Sequence, residues 1–209
     1  MSIELVKRIL SSIILMSLVS YILKTGSFFF IFFIILCFIV ACYEWSKMNK
    51  SIYNKIAGFI FLFFSFYTFY NLYVEFYPLI FVILICISTD IGGYVFGRML
   101  KGPKLTKISP NKTYAGVIGS YLLSIICLLI IINYTDNIQL SSQFFLITIL
   151  LSTVSQVGDI IVSYFKRLAR IKNTSSLIPG HGGLLDRIDG MIFAVPTLYI
   201  IKLIEFLNI

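Results

Sequence analysis

Long runs of apolar residues, separated by short polar stretches, make up most of the chain. Several of these runs approach the roughly 20 residues that an α-helix needs to cross a hydrocarbon core. The runs and their polar breaks predict an all-α, polytopic transmembrane protein with about seven spans. We place the spans at 8–23, 27–43, 56–73, 77–97, 115–133, 143–165 and 188–207. The first is expected to be a retained helix, because no small-residue cleavage site follows it.

The composition agrees with a membrane protein and excludes an ordinary soluble domain. Of the 209 residues, 59% are hydrophobic and only 12% are charged, whereas soluble domains carry about a quarter charged residues. The mean hydropathy is +0.97. Four cysteines lie in or beside apolar runs without a C-x-x-C pair, so we expect isolated thiols and neither a disulfide nor a metal site.

The basic residues lie almost entirely on one side of the predicted spans. Fifteen of the 17 Lys and Arg residues precede or begin the first span or fall between spans 2 and 3, 4 and 5, and 6 and 7; the exceptions are Lys24 and Lys202. The positive-inside rule then predicts a cytoplasmic N-terminus and two long cytoplasmic loops, 98–114 and 166–187. This topology accounts for the net charge of +8 without a nucleic-acid partner.

Asp90 lies in the fourth span, about eight residues before the basic loop. At 1.5 Å per residue its carboxylate would be about 12 Å below the loop, where an unpaired charge is costly. Asp90, Tyr94 and Arg98 lie at i, i+4 and i+8, on one helix face. We expect Asp90 to be functional or ion-paired, and we expect Gly93 and Gly97 to pack against another helix.

Asp159 repeats this arrangement near the end of the sixth span. It falls on one helical stripe with Ser163, Lys166 and Arg170, at i, i+4, i+7 and i+11. One interpretation is a structural carboxylate that pairs with Lys166. We favour a functional carboxylate, because ionisable groups within membrane spans usually mark functional sites.

The stretch IPGHGGLLDRIDG concentrates polar residues where the last span begins. Gly182 and Gly183 would let backbone N–H groups approach a phosphate. Asp186 and Asp189 are three residues apart, so we expect them to share one helix face, with Arg187 able to reach the same ligand. Carboxylates among many cations favour Mg²⁺ together with phosphates. The alternative is that both aspartates only complement a helix dipole.

A lone histidine and the loop between spans 4 and 5 add weaker signals. His181 is isolated, and an isolated histidine is more often a hydrogen-bonding residue than a catalyst. Ser109, Lys112 and Thr113 present two hydroxyls and a cation where the fifth span begins. Alone they would be part of an ordinary basic loop, but beside a phosphate site they become a candidate second clamp.

Ser163 to Asp189, SYFKRLARIKNTSSLIPGHGGLLDRID, closely resembles the signature of phosphatidate cytidylyltransferases, also called CDP-diacylglycerol synthases. That signature contains S-x-x-K-R, a following K-D, and P-G-H-G-G-x-x-D-R-x-D. Asp159 after glycine, the segment ISPNKT and the D-x-x-x-Y-x-x-x-R pattern from Asp90 extend the resemblance over roughly the C-terminal 60% of the chain. The chain is short for the family.

The resemblance implies CMP transfer from CTP to phosphatidic acid, giving CDP-diacylglycerol and pyrophosphate in phospholipid biosynthesis. It implies Mg²⁺, with room for a second cation, a homodimer, and a cytoplasm-facing site in the bacterial inner membrane. Metal ligands would be Asp159, Asp186 and Asp189, which with Lys166 form the implied catalytic set. The implied substrate-binding residues are Asp90, Ser109, Lys112, Thr113, Ser163, Arg167, His181, Gly182, Gly183 and Arg187.

Three departures from the family pattern each lose a carboxylate. Asn173 stands where the signature has aspartate, Ala115 replaces a glutamate, and Val162 replaces a frequent acidic residue. A decayed, inactive relative is therefore one alternative. We expect an active enzyme, because the three implied metal ligands and Lys166 remain.

Two further alternatives come from other functional classes. A transporter or channel would distribute polar residues through several spans, but spans 1 to 3 contain almost none. Another lipid-phosphate enzyme, such as a polyprenol kinase or an alcohol phosphotransferase, would account for the paired aspartates but not for the whole glycine-rich run. We expect one integral-membrane domain over 1–209, with scaffold spans in 1–75 and catalytic spans and loops in 76–209.

Overall fold

The structure is a computed structural model, and it describes residues 17, 21–22, 27–106, 108–135, 141–178, 180 and 182–205. Most of the described residues lie in helices, and among them there is no β-strand, only two isolated bridges. The all-α prediction is therefore confirmed. The helices are α1 Ser27–Met48, α2 Ile52–Glu75, α3 Tyr77–Leu100, α4 Tyr114–Tyr134, α5 Ser142–Leu168, α6 Leu185–Ile188 and α7 Met191–Glu205.

Helices α1 to α5 are all long and apolar enough to cross a membrane. They confirm predicted spans 2 to 6, and each extends a few residues past at least one predicted end. Most of predicted span 1 lies outside the described residues. The last predicted span corresponds to α7, an apolar helix of 15 residues that is shorter than α1 to α5.

The last span begins later than predicted because the chain turns at Asp189 and Gly190. The Gly190 N–H donates to Asp189 Oδ1 at 3.0 Å, and a Cβ on Gly190 would lie 2.3 Å from Ser155 Oγ. Only glycine fits so close an approach. Asp186, in α6, and Asp189 therefore do not lie on one continuous helix, and the prediction that they share a helix face was wrong.

The chain divides into two compact units. Unit 1 comprises Met1–Tyr70 and Phe165–Ile188, and unit 2 comprises Asn71–Tyr164 and Asp189–Ile209. Whether the scaffold ends near residue 75 and catalysis belongs to 76–209 stays a prediction.

Aromatic residues join the helices of unit 1. Phe38 of α1 contacts Phe63 and Phe66 of α2 edge-on, with ring centroids 6.2 and 5.7 Å away. Trp45 of α1 lies 4.7 Å, centroid to centroid, from Phe165 at the end of α5. These contacts pack α1 against α2 and hold the last turn of α1 beside the last turn of α5.

Small residues let α3 and α4 approach closely in unit 2. A Cβ on Gly92 would lie 2.3 Å from the carbonyl oxygen of Gly119, and one on Gly116 would lie 2.8 Å from that of Gly93. A Cβ on Gly97 would lie 3.7 Å from the Cα of Gly116. The prediction that Gly93 and Gly97 serve helix packing is therefore confirmed.

Candidate active site: two lysine–carboxylate pairs

In unit 2 the Asp159 carboxylate pairs with Lys112. Lys112 Nζ lies 2.5 Å from Asp159 Oδ2, and the two side chains are 25% and 30% exposed. The same ammonium contacts the Gln156 carbonyl at 3.4 Å, and Ser163 Oγ donates to Asp159 Oδ1 at 3.3 Å. The helical spacing of Asp159 and Ser163 thus brings them together as predicted. The cation comes from the loop before α4, not from Lys166 on the same helix.

The loop between α3 and α4 holds Lys112 through a short turn. The Leu105 N–H donates to the Lys112 carbonyl at 2.8 Å, and the Lys112 N–H donates to the Ser109 carbonyl at 3.0 Å. Thr113 caps α4, because its buried Oγ1 accepts from the Gly116 N–H at 3.1 Å. Ser109 and Thr113 therefore shape the loop that presents Lys112. Their direct contact with substrate stays a prediction.

In unit 1 the Asp186 carboxylate pairs with Lys166 in a buried setting. Lys166 Nζ donates to Asp186 Oδ1 at 2.8 Å, and the two side chains are only 9% and 6% exposed. Asp186 Oδ2 accepts from the Thr174 N–H at 2.8 Å and from the Gly183 N–H at 2.9 Å, and Thr174 Oγ1 lies 3.1 Å from the same oxygen. Both carboxylate oxygens are thus engaged.

Opposing effects act on the ionisation of Asp186. Burial raises the pKa of this carboxyl, whereas hydrogen bonds from Lys166, Gly183 and Thr174 and the charge of Lys166 lower it. Together the lowering effects prevail, and the pKa lies below its ordinary value of 3.8. The carboxylate is therefore ionised at neutral pH.

The two adjacent glycines of the loop serve the protein's own hydrogen bonds. The Gly182 N–H donates to the Ile178 carbonyl at 3.1 Å, and the Gly183 N–H donates to Asp186. Gly182 has φ +92°, and a Cβ there would lie 2.7 Å from Asp186 Oδ2. Folding of the loop around Asp186 thus uses both N–H groups in this structure, and their contact with a phosphate stays a prediction.

The remaining basic residues near this loop have different surroundings. Arg167 is exposed and donates from Nη1 to the Ile171 carbonyl at 3.0 Å. Arg187 is exposed on α6. Arg170 lies beyond the end of α5 with φ 58°, so it leaves the helical stripe on which it was predicted. His181 lies outside the described residues.

Of the three residues predicted to share one face of α3, Tyr94 and Arg98 contact each other. Arg98 Nη1 donates to the Tyr94 hydroxyl at 2.7 Å, and its guanidinium lies 6.0 Å from the centre of that ring. Asp90 is on the same helix and is exposed on the protein surface. Its substrate-binding role stays a prediction. The role of Asp189, in the turn before α7, as a metal ligand also stays a prediction.

One buried carboxylate was missed by the sequence analysis. Glu44, in the last turns of α1, is 1% exposed. Its Oε1 accepts from Ser175 Oγ at 2.6 Å and from the Leu184 N–H at 3.0 Å. Its Oε2 accepts from Thr174 Oγ1 and from the Leu185 N–H, both at 2.8 Å. Glu44 is the only acidic residue between positions 5 and 74, and this isolation in an apolar region was the available signal.

The donor atoms set limits on how a divalent metal could bind. Among the described residues there is no group of three or more His, Cys, Asp or Glu that could hold a metal. Mg²⁺ commonly uses only one or two protein carboxylates together with substrate phosphates. Asp159 fits this role, since it is partly exposed. Asp186 fits it only if Lys166 gives up Oδ1, because every oxygen of Asp186 already accepts a hydrogen bond.

These features define an integral membrane protein built from apolar helices, with lysine–carboxylate pairs beside its polar loops. The sequence profile of the cytidylyltransferase family matches residues 56–204, a range that contains both pairs. The chain belongs to this family.

Named relatives agree with this assignment. A phosphatidate cytidylyltransferase of Rickettsia typhi is 33% identical over 203 residues, which cover 92% of this chain and 89% of the relative. That of Staphylococcus saprophyticus is 42% identical over 125 residues, 59% of this chain and 48% of the relative. That of Staphylococcus haemolyticus is 38% identical over 148 residues, 69% of this chain and 54% of the relative. The matched part of the chain thus spans about half the length of the two staphylococcal relatives.

Proposed function

We propose that the protein transfers CMP from CTP to phosphatidic acid, giving CDP-diacylglycerol and pyrophosphate in phospholipid biosynthesis. The observation that carries this proposal is the similarity to the Rickettsia phosphatidate cytidylyltransferase over 92% of the chain. The two lysine–carboxylate pairs supply groups that suit phosphate substrates.

In the proposed reaction, a phosphate oxygen of phosphatidic acid attacks the α-phosphorus of CTP and pyrophosphate leaves. Such a reaction depends on positioning and charge neutralisation more than on a protein nucleophile. We assign Lys112 and Lys166 to phosphate oxygens. Each ammonium is held at a carboxylate, so it can exchange that partner for a phosphate without moving far. Arg167, His181 and Arg187 would contact further phosphate oxygens.

We assign Asp159 and Asp186 as ligands of Mg²⁺, with Asp189 assisting. When bound, Mg²⁺ would neutralise charge on the triphosphate. Asp159 is partly exposed and so offers an oxygen beside Lys112. Asp186 would offer Oδ1 once Lys166 has turned to a phosphate, while Thr174 and Gly183 keep hold of Oδ2.

We further propose that the basic loops face the cytoplasm of a bacterium, with the protein in its inner membrane and forming a homodimer. CTP would then arrive from the cytoplasm. Phosphatidic acid would enter sideways from the bilayer, which is consistent with aspartates recessed below the level of the loops. Ser109, Thr113, Ser163 and Asp90 would contact substrate from this side.

Isotope position in CTP tests the reaction. Membranes containing the protein are incubated with phosphatidic acid, Mg²⁺ and CTP labelled at either the α- or the γ-phosphate. We expect α-label in the lipid phase, dependent on phosphatidic acid and lost with EDTA, while γ-label stays in the aqueous phase. Transfer of γ-label to lipid would indicate a lipid kinase. An absence of label in lipid from either substrate would refute the proposed function.

Two variants test whether CMP transfer depends on the candidate active site. Asp186→Asn should reduce transfer at least about 100-fold, because loss of one electrostatic group at such a site typically costs this much. Glu75→Gln is the matched control, since Glu75 pairs with Lys202 and has no assigned role. Equal activity of the Asp186→Asn variant and wild type would contradict the assignment of Asp186.

A further inference from the structure

The carboxylate of Glu44 is surrounded by donors from one segment of the chain. All four of its hydrogen bonds come from Thr174, Ser175, Leu184 and Leu185. Each of the two carboxylate oxygens thus accepts two hydrogen bonds, which suits a group that carries acceptors and no donor. Because the side chain is 1% exposed, water does not compete for these donors. Glu44 therefore ties both ends of the 174–185 segment to the end of α1.

Thr174 links Glu44 to Asp186. Its Oγ1 lies 2.8 Å from Glu44 Oε2 and 3.1 Å from Asp186 Oδ2, while its N–H donates to the same Asp186 oxygen at 2.8 Å. On the other side of the loop, Glu44 holds the N–H of Leu185, the residue directly before Asp186. Thr174, which orients the Asp186 carboxylate together with Gly183 and Lys166, thus has Glu44 as its other partner.

Close packing leaves this arrangement little freedom. A Cβ on Gly183 would lie 2.0 Å from Thr174 Oγ1 and 2.5 Å from Glu44 Oε1. Only glycine therefore fits at position 183, where the backbone lies against the Glu44 carboxylate and the Thr174 hydroxyl. The Gly183 N–H in turn donates to Asp186. The close packing of Gly183 against Glu44 therefore also positions one of the hydrogen bonds that orient Asp186.

We propose that Glu44 is a positioning residue for the active site. It fixes Thr174 and the backbone at Leu184 and Leu185, and through them it orients Asp186 toward Lys166. Its effect on turnover rests on the proposed function, but its effect on the conformation of the loop does not.

The amide of glutamine provides a near-isosteric test. Each Glu44 oxygen faces one hydroxyl and one backbone N–H. A hydroxyl can rotate to accept from an amide NH₂, but a backbone N–H cannot. Glu44→Gln therefore leaves at least one backbone donor without an acceptor while keeping the side-chain shape. Glu75→Gln is the matched control, since it also replaces a glutamate by its amide.

Limited trypsin digestion of the purified full-length protein in detergent tests the conformational part. Arg170 and Lys172 are exposed and lie just before the anchored segment. Loss of a bond to a charged group should raise the open population, and with it cleavage at these two sites, about tenfold. We expect this increase in Glu44→Gln and not in Glu75→Gln. Cleavage in Glu44→Gln at the wild-type rate would overturn the proposal.

The CMP-transfer assay tests the catalytic part. We expect Glu44→Gln and Thr174→Val each to lower kcat/KM for CTP about tenfold. The double variant should lose clearly less than the product of the two single losses, because both variants break the link through Thr174. Thr174→Ser keeps the hydroxyl and should restore most of the activity. Additive losses, or a Thr174→Ser variant as poor as Thr174→Val, would overturn the positioning role. If wild type transfers no CMP, the proposed function fails, and digestion alone decides the role of Glu44.

Discussion

At the residue level, two aspartates with the same implied role have different surroundings. The Asp159 side chain is 30% exposed and pairs with one lysine, whereas the Asp186 side chain is 6% exposed and accepts from a lysine and from two loop residues. Asp159 is thus more accessible to an incoming ligand. Asp186 is more firmly oriented and keeps its charge through the donors around it.

The lowered pKa of Asp186 predicts how stability depends on pH. A carboxyl whose pKa is depressed in the folded state stabilises the protein above its ordinary value of 3.8, and this contribution is lost as pH falls through the lowered pKa. Asp186→Asn removes a carboxylate that pairs with the buried Lys166 and should destabilise the protein by about 3 kcal/mol. Thermal unfolding in detergent should give a constant difference from wild type between pH 8 and about pH 5, which shrinks only below about 3.8.

A difference that already shrinks between pH 7 and pH 5 would show that Asp186 gains its proton above its ordinary range. Glu75→Gln serves again as the control, because it removes a carboxylate that is half exposed. It should shift the unfolding temperature little at any of these pH values, since exposed ion pairs contribute little to stability.

Residue contacts within one helix could be predicted from the sequence, and contacts between distant segments could not. The four-residue spacing correctly paired Asp159 with Ser163. The partners of Glu44 lie 130 to 141 positions away, so no local pattern connects them to it. In the sequence, Glu44 and Lys47 at the end of an apolar run are typical of the point where a helix gives way to a loop. Only the fold shows that Glu44 is buried.

At the level of elements, the apolar runs predicted helices α1 to α5 well, because length and hydropathy alone define such helices. The break between α6 and α7 was not predicted. Nothing in the apolar pattern around Asp189 and Gly190 excludes a continuous helix. The turn depends on the close approach of Gly190 to Ser155, which is a tertiary contact.

The glycine contact between α3 and α4 predicts a destabilising substitution. In Gly92→Ala the new Cβ would lie 2.3 Å from the Gly119 carbonyl oxygen, and a backbone atom cannot move aside cheaply. We expect a loss of about 1–3 kcal/mol from overpacking, partly offset by about 1 kcal/mol of higher helix propensity. The measurement is thermal unfolding in detergent.

Gly97→Ala is the matched control on the same helix. Its Cβ would lie 3.2 Å from Thr113 Oγ1, a side-chain atom that can shift by a few tenths of an ångström. It should therefore cost less than Gly92→Ala. If the two variants unfold at the same temperature, the close contact of α3 with α4 does not limit stability.

At the level of the whole molecule, each lysine–carboxylate pair joins α5 to a polar loop. α5 contributes Asp159 to one pair and Lys166 to the other. Their partners, Lys112 and Asp186, come from the loops on which most of the basic residues lie. The charge predicted to set the membrane topology and the charge proposed to bind substrate are therefore carried by the same segments.

This coincidence makes membrane orientation a test of the proposed site. α4 has 21 residues and would extend about 32 Å at 1.5 Å per residue, enough to cross the hydrocarbon core. Lys104, exposed in the loop before α4, should then face the cytoplasm, and Thr135, at the other end of α4, should face outward. Single-cysteine variants Lys104→Cys and Thr135→Cys, in a background without the native cysteines, can be labelled in intact cells with an impermeant maleimide.

We expect labelling of Thr135→Cys in intact cells, and labelling of Lys104→Cys only after the membrane is opened. CTP is a cytoplasmic substrate with a triphosphate that does not cross a bilayer unaided, so the Lys112–Asp159 pair must be reachable from the cytoplasm to act on it. The reverse labelling pattern would place Lys112 on the wrong side of the membrane for CTP. The proposed reaction would then fail even if both lysine–carboxylate pairs form as described.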